Sequence, residues 1–262
     1  MNPRQRALEV LCLRDPADKA AQARALFASL DAALIDVEAA FDAPTDLPGR
    51  PERPALLSAR QVPSRTPFTP EGRAALIHSI AHIEFNAINL ALDAAFRFSR
   101  MPVAFYVDWL RVASEEALHF SLLREHLQSM GHDYGDFDAH DGLWAMTQRT
   151  ADNVVARMAL VPRTLEARGL DATPPLQAKF ARAGDQRAVD ILDVILRDEV
   201  GHVAIGNHWY RWLCERDGLD PIAHYDELTV RYEAPKLRPP FNWPAREAAG
   251  FTAGEMAKLN SP

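Results

Sequence analysis

Three observations predict an all-α fold built on a four-helix bundle with an N-terminal helical arm and a C-terminal wrapping tail. Four long stretches place apolar residues at threes and fours, capping residues with prolines and glycines punctuate them, and no alternating strand pattern of any length occurs. The expected division is a helical arm with a proline-rich connector over 1–66, the bundle over 67–217 and an extension over 218–262 packed on the bundle.

Helical spacing in Ala7, Leu8 and Leu11 and again in Ala23, Leu26, Leu30 and Leu34 predicts two or three short helices over 3–42. Prolines at 44, 48, 51, 54, 63, 67 and 70 then remove amide donors and impose extended geometry, which makes 43–70 a connector. Thr69-Pro70-Glu71 supplies a capping hydroxyl, a proline at the first helical position and an acid in the first turn, so a long helix is expected to about 99. Met101-Pro102 breaks it, and a second run continues over 103–130, closed by Gly131. After the turn-rich HDYGDFDAHDG, Asp141 is expected to cap a third helix over about 142–167, kinked at Pro162 and ended by Gly169. A short amphipathic piece over 176–183 and a fourth long helix over about 185–216, stopped by Asp217-Gly218, complete the set. The tail, YEAPKLRPPFNWPAR, is expected to wrap the bundle surface.

Composition bounds the function. Apolar residues make up 48% and charged residues 25% of the 262, the profile of a chain that buries a core. A net charge of −7 offers no general attraction to phosphate backbones, which disfavours nucleic acid as a partner. Cys12 and Cys214 lack any CxxC partner and read as buried thiols. The N-terminus lacks the apolar stretch of a signal peptide and no run approaches the roughly 18 apolar residues of a membrane span, so a cytoplasmic protein without a membrane partner is expected.

The chemistry sits on the long helices. Glu116-Ala117-Leu118-His119 and Glu199-Val200-Gly201-His202 repeat Glu-x-x-His, and residues three apart share a helix face. The other two long helices supply Glu84 and Glu166, which completes the pattern of di-iron and di-manganese carboxylate bundles. Glu116 follows Glu84 by 32 residues and Glu199 follows Glu166 by 33, so the chain repeats a helix pair. Ile77, Ile80, Ala81 and Ile88 flank Glu84, Leu192, Ile195 and Val203 flank Glu199, and Trp109, Val112 and Phe120 flank Glu116. A lone ionised carboxylate in such a stripe costs several kcal/mol, roughly, so several together call for cations. Glu166 has Pro162, Arg163 and Gly169 for neighbours, and its alternative reading is a surface acid paired with Arg163.

Glu115 and Asp198 each precede a candidate histidine by four residues and are placed to accept the distal imidazole N–H, fixing its tautomer; the alternative reading for either is an exposed helical acid. His126, about 10 Å beyond His119 along the same stripe, is too far to share the site and is assigned to a pocket. His78 and His82 are turned away from Glu84 and read as structural, while His132 and His140 are placed at an entrance or lid. Ala81, Ala87, Gly201 and Gly206 are expected to leave room for a substrate.

On these residues the chain resembles the ferritin-like superfamily. Within it the chain is similar to the bacterial family catalogued as domain of unknown function 455, through IAHIEFNAI, EEALHF, YGDFDAHDGLW, LEARGLDATP, DEVGHVAIG and APKLRPPFN, which span nearly its whole length. More distantly it resembles the di-iron tRNA 2-methylthio-isopentenyladenosine hydroxylases, in ligand pattern and in Glu166-Ala167-Arg168 alone, so their substrate is not carried over. The resemblance implies a di-metal carboxylate site and no particular reaction.

The leading expectation is therefore a di-iron oxidoreductase that activates O2 and hydroxylates or oxidises a small molecule, drawing on an external electron donor and compatible with a homo-oligomer. The two ions are expected to be iron, with manganese or a mixed iron–manganese pair as the alternative. The competing function is a ferritin-like ferroxidase or iron-binding protein without an organic substrate, against which stand the N-terminal arm and the C-terminal wrap. A rubrerythrin-like peroxide reductase needs paired CxxC motifs that Cys12 and Cys214 do not supply. An RNA-associated protein with a vestigial site is disfavoured by the acidic balance and by the presence of all six donors.

Overall fold

The computed structural model describes residues 1–58, 60–63 and 66–259. Helix covers 68% of the chain and strand 2%, so the fold is all-α as the periodicity predicts. Two compact units divide the chain, Met1–Trp144 and Ala145–Pro262. The N-terminal arm and the proline-rich connector belong to the first of them.

In Met1–Trp144, α1 (Pro3–Leu11) and α2 (Pro16–Ala28) begin on Asn2 and Asp15, whose side chains accept the first free amides, and each has proline at its first position. A 3₁₀ turn, Ala32–Leu34, follows. Cys12 caps α1 just past its apolar face, and it is exposed, not buried as expected; Cys214 is buried. The connector is fastened by Lys19, fully buried, whose Nζ donates to the Gly49 carbonyl at 2.7 Å and to Asn89 Oδ1 at 2.6 Å. Burial, reinforced by Arg50, lowers this ammonium to about 7. The connector also forms the two-residue strand Leu56–Leu57, paired in parallel with Ala139–His140, where no strand is expected.

The unit is built on α3 (Pro70–Arg97) and α4 (Val103–Ser129). Thr69 Oγ1 accepts the Gly72 amide at 3.1 Å, as the Thr-Pro-Glu signal predicts. The C-terminal carbonyls of α3 find an unexpected donor: buried Arg4 reaches Ala95 O through Nε and Phe96 O through Nη2. The short link 98–102 folds α4 back along α3, and Phe85 meets Phe120 with ring centroids 5.3 Å apart. By length and composition α3 could cross a membrane, but most of its apolar stretch is buried inside the protein. Next, α5 (Gly142–Arg149) leads into the second unit.

In Ala145–Pro262 the expected third helix is not one helix. It is α6 (Val154–Leu160), then a π-helical stretch, Val161–Glu166, then α7 (Ala167–Arg182). Pro162 lacks an N–H and clashes with the carbonyl four residues back, and the chain answers by widening the helix. Thr164 Oγ1 takes up the Ala159 carbonyl at 2.8 Å across this stretch. Nor does the helix stop at Gly169; α7 runs through Pro174 and Pro175 and absorbs the piece expected over 176–183. Pro174 cannot serve the Leu170 carbonyl, and Asn242 Nδ2 from the tail donates to it instead at 3.1 Å. Then α8 (Gln186–Asp217) follows, capped by Asp185 and closed by Gly218 at φ 66°, a left-handed position that glycine adopts without cost. The tail is itself helical, in α9 (Pro221–Arg231), α10 (Trp243–Ala248) and α11 (Ala253–Leu259).

Candidate metal centre

Glu84 stands midway along α3, with Glu116 and His119 one turn apart on α4. Because the two helices lie side by side, His119 Nδ1 comes within 3.1 Å of Glu84 Oε2 and 3.3 Å of Glu116 Oε2. Glu84 is 6% exposed, Glu116 1% and His119 not at all, so none is the solvated surface acid or base its type would suggest. One donor atom from each lies within 4.8 Å of the others, a spread that a single cation can span. Burial and then the neighbouring Glu116 push the Glu84 carboxyl well above its ordinary range, while His119 pulls the other way. Two carboxylates and an imidazole compacted in this way suit iron or manganese, so the residues present fit the expected ion.

In the second unit Glu199 and His202 repeat the arrangement on α8, with His202 Nδ1 3.2 Å from Glu199 Oε2. Both are buried, and so is Glu166, 7% exposed, at the last position of the π-helical stretch. That stretch packs on α8 at Gly206, and the first turn of α7 does so at Gly169. A Cβ on Gly206 would fall 2.6 Å from Pro162 Cβ, and one on Gly169 would meet the Glu199 side chain at 3.5 Å. Small residues thus bring the Glu166 backbone against the Glu199 helix. Arg163 is not the partner of Glu166. Its guanidinium donates to Glu255 Oε1 at 2.6 Å and to Asn207 Oδ1 at 2.8 Å, in a cage completed by the Tyr210, Tyr225 and Phe251 rings.

The remaining expected residues fall in varied settings. Glu115 is half-buried on α4, and Asp198 is half-buried with Arg197 Nε 2.8 Å from its Oδ1. His126 is half-buried near the end of α4, its Nδ1 3.4 Å from Ser129 Oγ. His140 is exposed on its short strand and accepts the Gly142 amide at 3.3 Å. His132 in the same loop lies beside Asp136. The room expected around the donors is partly filled, because Gly206 is pressed against Pro162 and Gly201 faces solvent.

His78 and His82 are buried structural groups. His78 Nε2 accepts the Gly135 amide at 2.9 Å, and His82 Nδ1 lies 2.8 Å from the Tyr134 hydroxyl. Burial lowers both imidazoles, to about 4 and about 3. Tyr134, which periodicity could not single out in a loop, packs against Phe85 and Phe120 and lines a cavity of about 30 Å³ with His82 and Asn86.

A family model of proteins of unknown function, DUF455, matches residues 12–257. The chain belongs to this family. An uncharacterized protein of Haemophilus influenzae is 55% identical over 213 residues, 79% of this chain and 74% of its relative. No solved structure matches. The family's match spans both units and every donor named above.

Proposed function

We propose that the chain is a ferritin-like di-metal carboxylate oxidoreductase that activates O2 and hydroxylates or oxidises a small molecule. Its two metal ions, iron by preference, would be held by Glu84, Glu116, His119, Glu166, Glu199 and His202. The observation that carries the reading is the duplicated, buried donor set: Glu-x-x-His on α4 and on α8, in each case with Nδ1 turned to a glutamate at 3.1–3.3 Å. When bound, iron in such a set supplies open coordination positions and a redox couple for O2.

The side chains do the rest. Glu84 and Glu116 carry the negative charge that a buried dication needs, and Glu166 and Glu199 do the same in the second unit. His119 and His202 present Nδ1, so ion binding displaces a proton from that nitrogen or from a carboxyl beside it. Glu84, Glu116 and His119 are buried on helices whose apolar residues, Phe85 and Phe120 among them, form core, and charge interactions are strong where water is excluded. Hydroxylation places one oxygen atom in the product and the other in water, which takes two electrons from an external donor.

Loaded with ferrous iron under argon and then exposed to air, the wild-type chain should consume O2, and Glu116→Ala should not. Equal consumption by the two proteins, or none by the wild type at full iron loading, would sink the reading.

A further inference from the structure

The second unit contains a cleft of about 610 Å³ between α7 and the tail segment 235–240. Its polar lining is one-sided. Arg168 on α7 and Lys236 and Arg238 on the tail are exposed, and among the described residues none of the three has a carboxylate partner. Asp171 is the acid in the wall, and its charge is already matched by buried Arg246, whose Nη2 and Nε lie 2.6 Å and 3.0 Å from its two oxygens. Three uncompensated cations therefore face one space on a chain whose net charge is −7.

The walls are also held in place. Asp171 Oδ1 accepts the Asn242 amide at 2.9 Å and Asn242 Nδ2 reaches the Leu170 carbonyl, so the tail is tied to α7 beside the cleft. Prolines at 235, 239 and 240 restrict the backbone that carries Lys236 and Arg238. Ala172 and Leu237 add apolar surface between the charges.

We propose that this cleft binds a small organic molecule bearing two or more phosphate charges. Guanidinium forks match phosphate oxygens in pairs, a third cation suits a second phosphate, and the apolar lining leaves contact for an organic body. The volume lies within the range of ligand pockets. The proposal stands apart from the metal chemistry, since none of the six donors lines the cleft.

Calorimetric titration of the full-length chain with ADP, pyrophosphate and a twenty-nucleotide single-stranded RNA tests it. ADP and pyrophosphate should each bind once per chain, ADP the tighter, with affinity that weakens as salt is raised. Affinity for ADP should fall at least tenfold in Lys236→Ala/Arg238→Ala, and separately in Arg168→Gln on the opposite wall. The pair of variants guards against misfolding of either, and both should melt like the wild type because the three side chains are exposed. The proposal is overturned if neither phosphate compound binds saturably, if binding survives both variants, if pyrophosphate matches ADP and the organic body contributes nothing, or if the RNA binds tighter than ADP.

Discussion

In Met1–Trp144 the candidate donors stand on two uninterrupted α-helices, whereas in Ala145–Pro262 one of them ends a π-helical stretch that Pro162 forces and Gly206 accommodates. The donor types are alike and the spacing differs by one residue. Yet α3 begins from signals inside a few residues, while the path of the chain through Glu166 depends on contacts far along the sequence: Gly206 against Pro162, Glu255 against Arg163 and Asn242 against Leu170. A carboxylate can be placed by local helix grammar or by tertiary packing, and the second route leaves more ways to disturb it.

The largest stability effect should therefore come from the second unit, at Glu255. Removing it leaves the Arg163 guanidinium buried without its anion, so Glu255→Ala should cost about 3–5 kcal/mol by urea denaturation. Burial opposes ionisation of Glu255, but Arg163 and its hydrogen bonds outweigh that and lower its carboxyl below 4.5. A depressed acid contributes stability above its unfolded range and loses it as pH falls through the folded value. The wild type should lose stability on acidification below 4.5, and the variant should lose less. Next comes Gly206→Ala, whose methyl would collide with Pro162 at 2.6 Å; about 1–3 kcal/mol of destabilisation is expected. In the first unit, Thr69→Ala removes one cap of α3 and should cost only about 1 kcal/mol. The smallest effect belongs to Gly201→Ala, where nothing lies within 4 Å of the added methyl; helix propensity should make it neutral or stabilising by up to about 1 kcal/mol. If Thr69→Ala proved more damaging than Gly206→Ala, the contrast between local and tertiary placement would collapse.

The same contrast explains what was legible in the sequence. Thr69-Pro70-Glu71, Gly131 and Asp217-Gly218 mark ends that local chemistry decides, and α3, α4 and α8 begin and end within about two residues of where those signals put them. Glu116 with His119 and Glu199 with His202 are buried as their setting predicts, because residues three apart on an apolar stripe share the inward face of a helix, and Glu84 is buried within a stripe of its own. Pro162 and Gly169 predict a kink and an end, since local rules cannot see Thr164 and Asn242 taking over the carbonyls. Gly206 read as free space for a substrate, because what packs on a glycine is not written beside it. Arg4 and Lys19 are buried clamps that no local pattern marks, a role set by carbonyls of Asp36 and Gly49, far along the chain from each. The cationic cleft was missed for the same reason, with Arg168 and Lys236 far apart in the chain.

The central claim is that these six side chains hold metal, and the most direct measurement is metal content of the chain purified without added metal, against Glu116→Ala and Glu199→Ala. The expected result is about two ions per wild-type chain, iron above manganese, and fewer than one in either variant. Wild-type protein that carries no metal after exposure to ferrous iron and manganese, or variants that retain both ions, would contradict it.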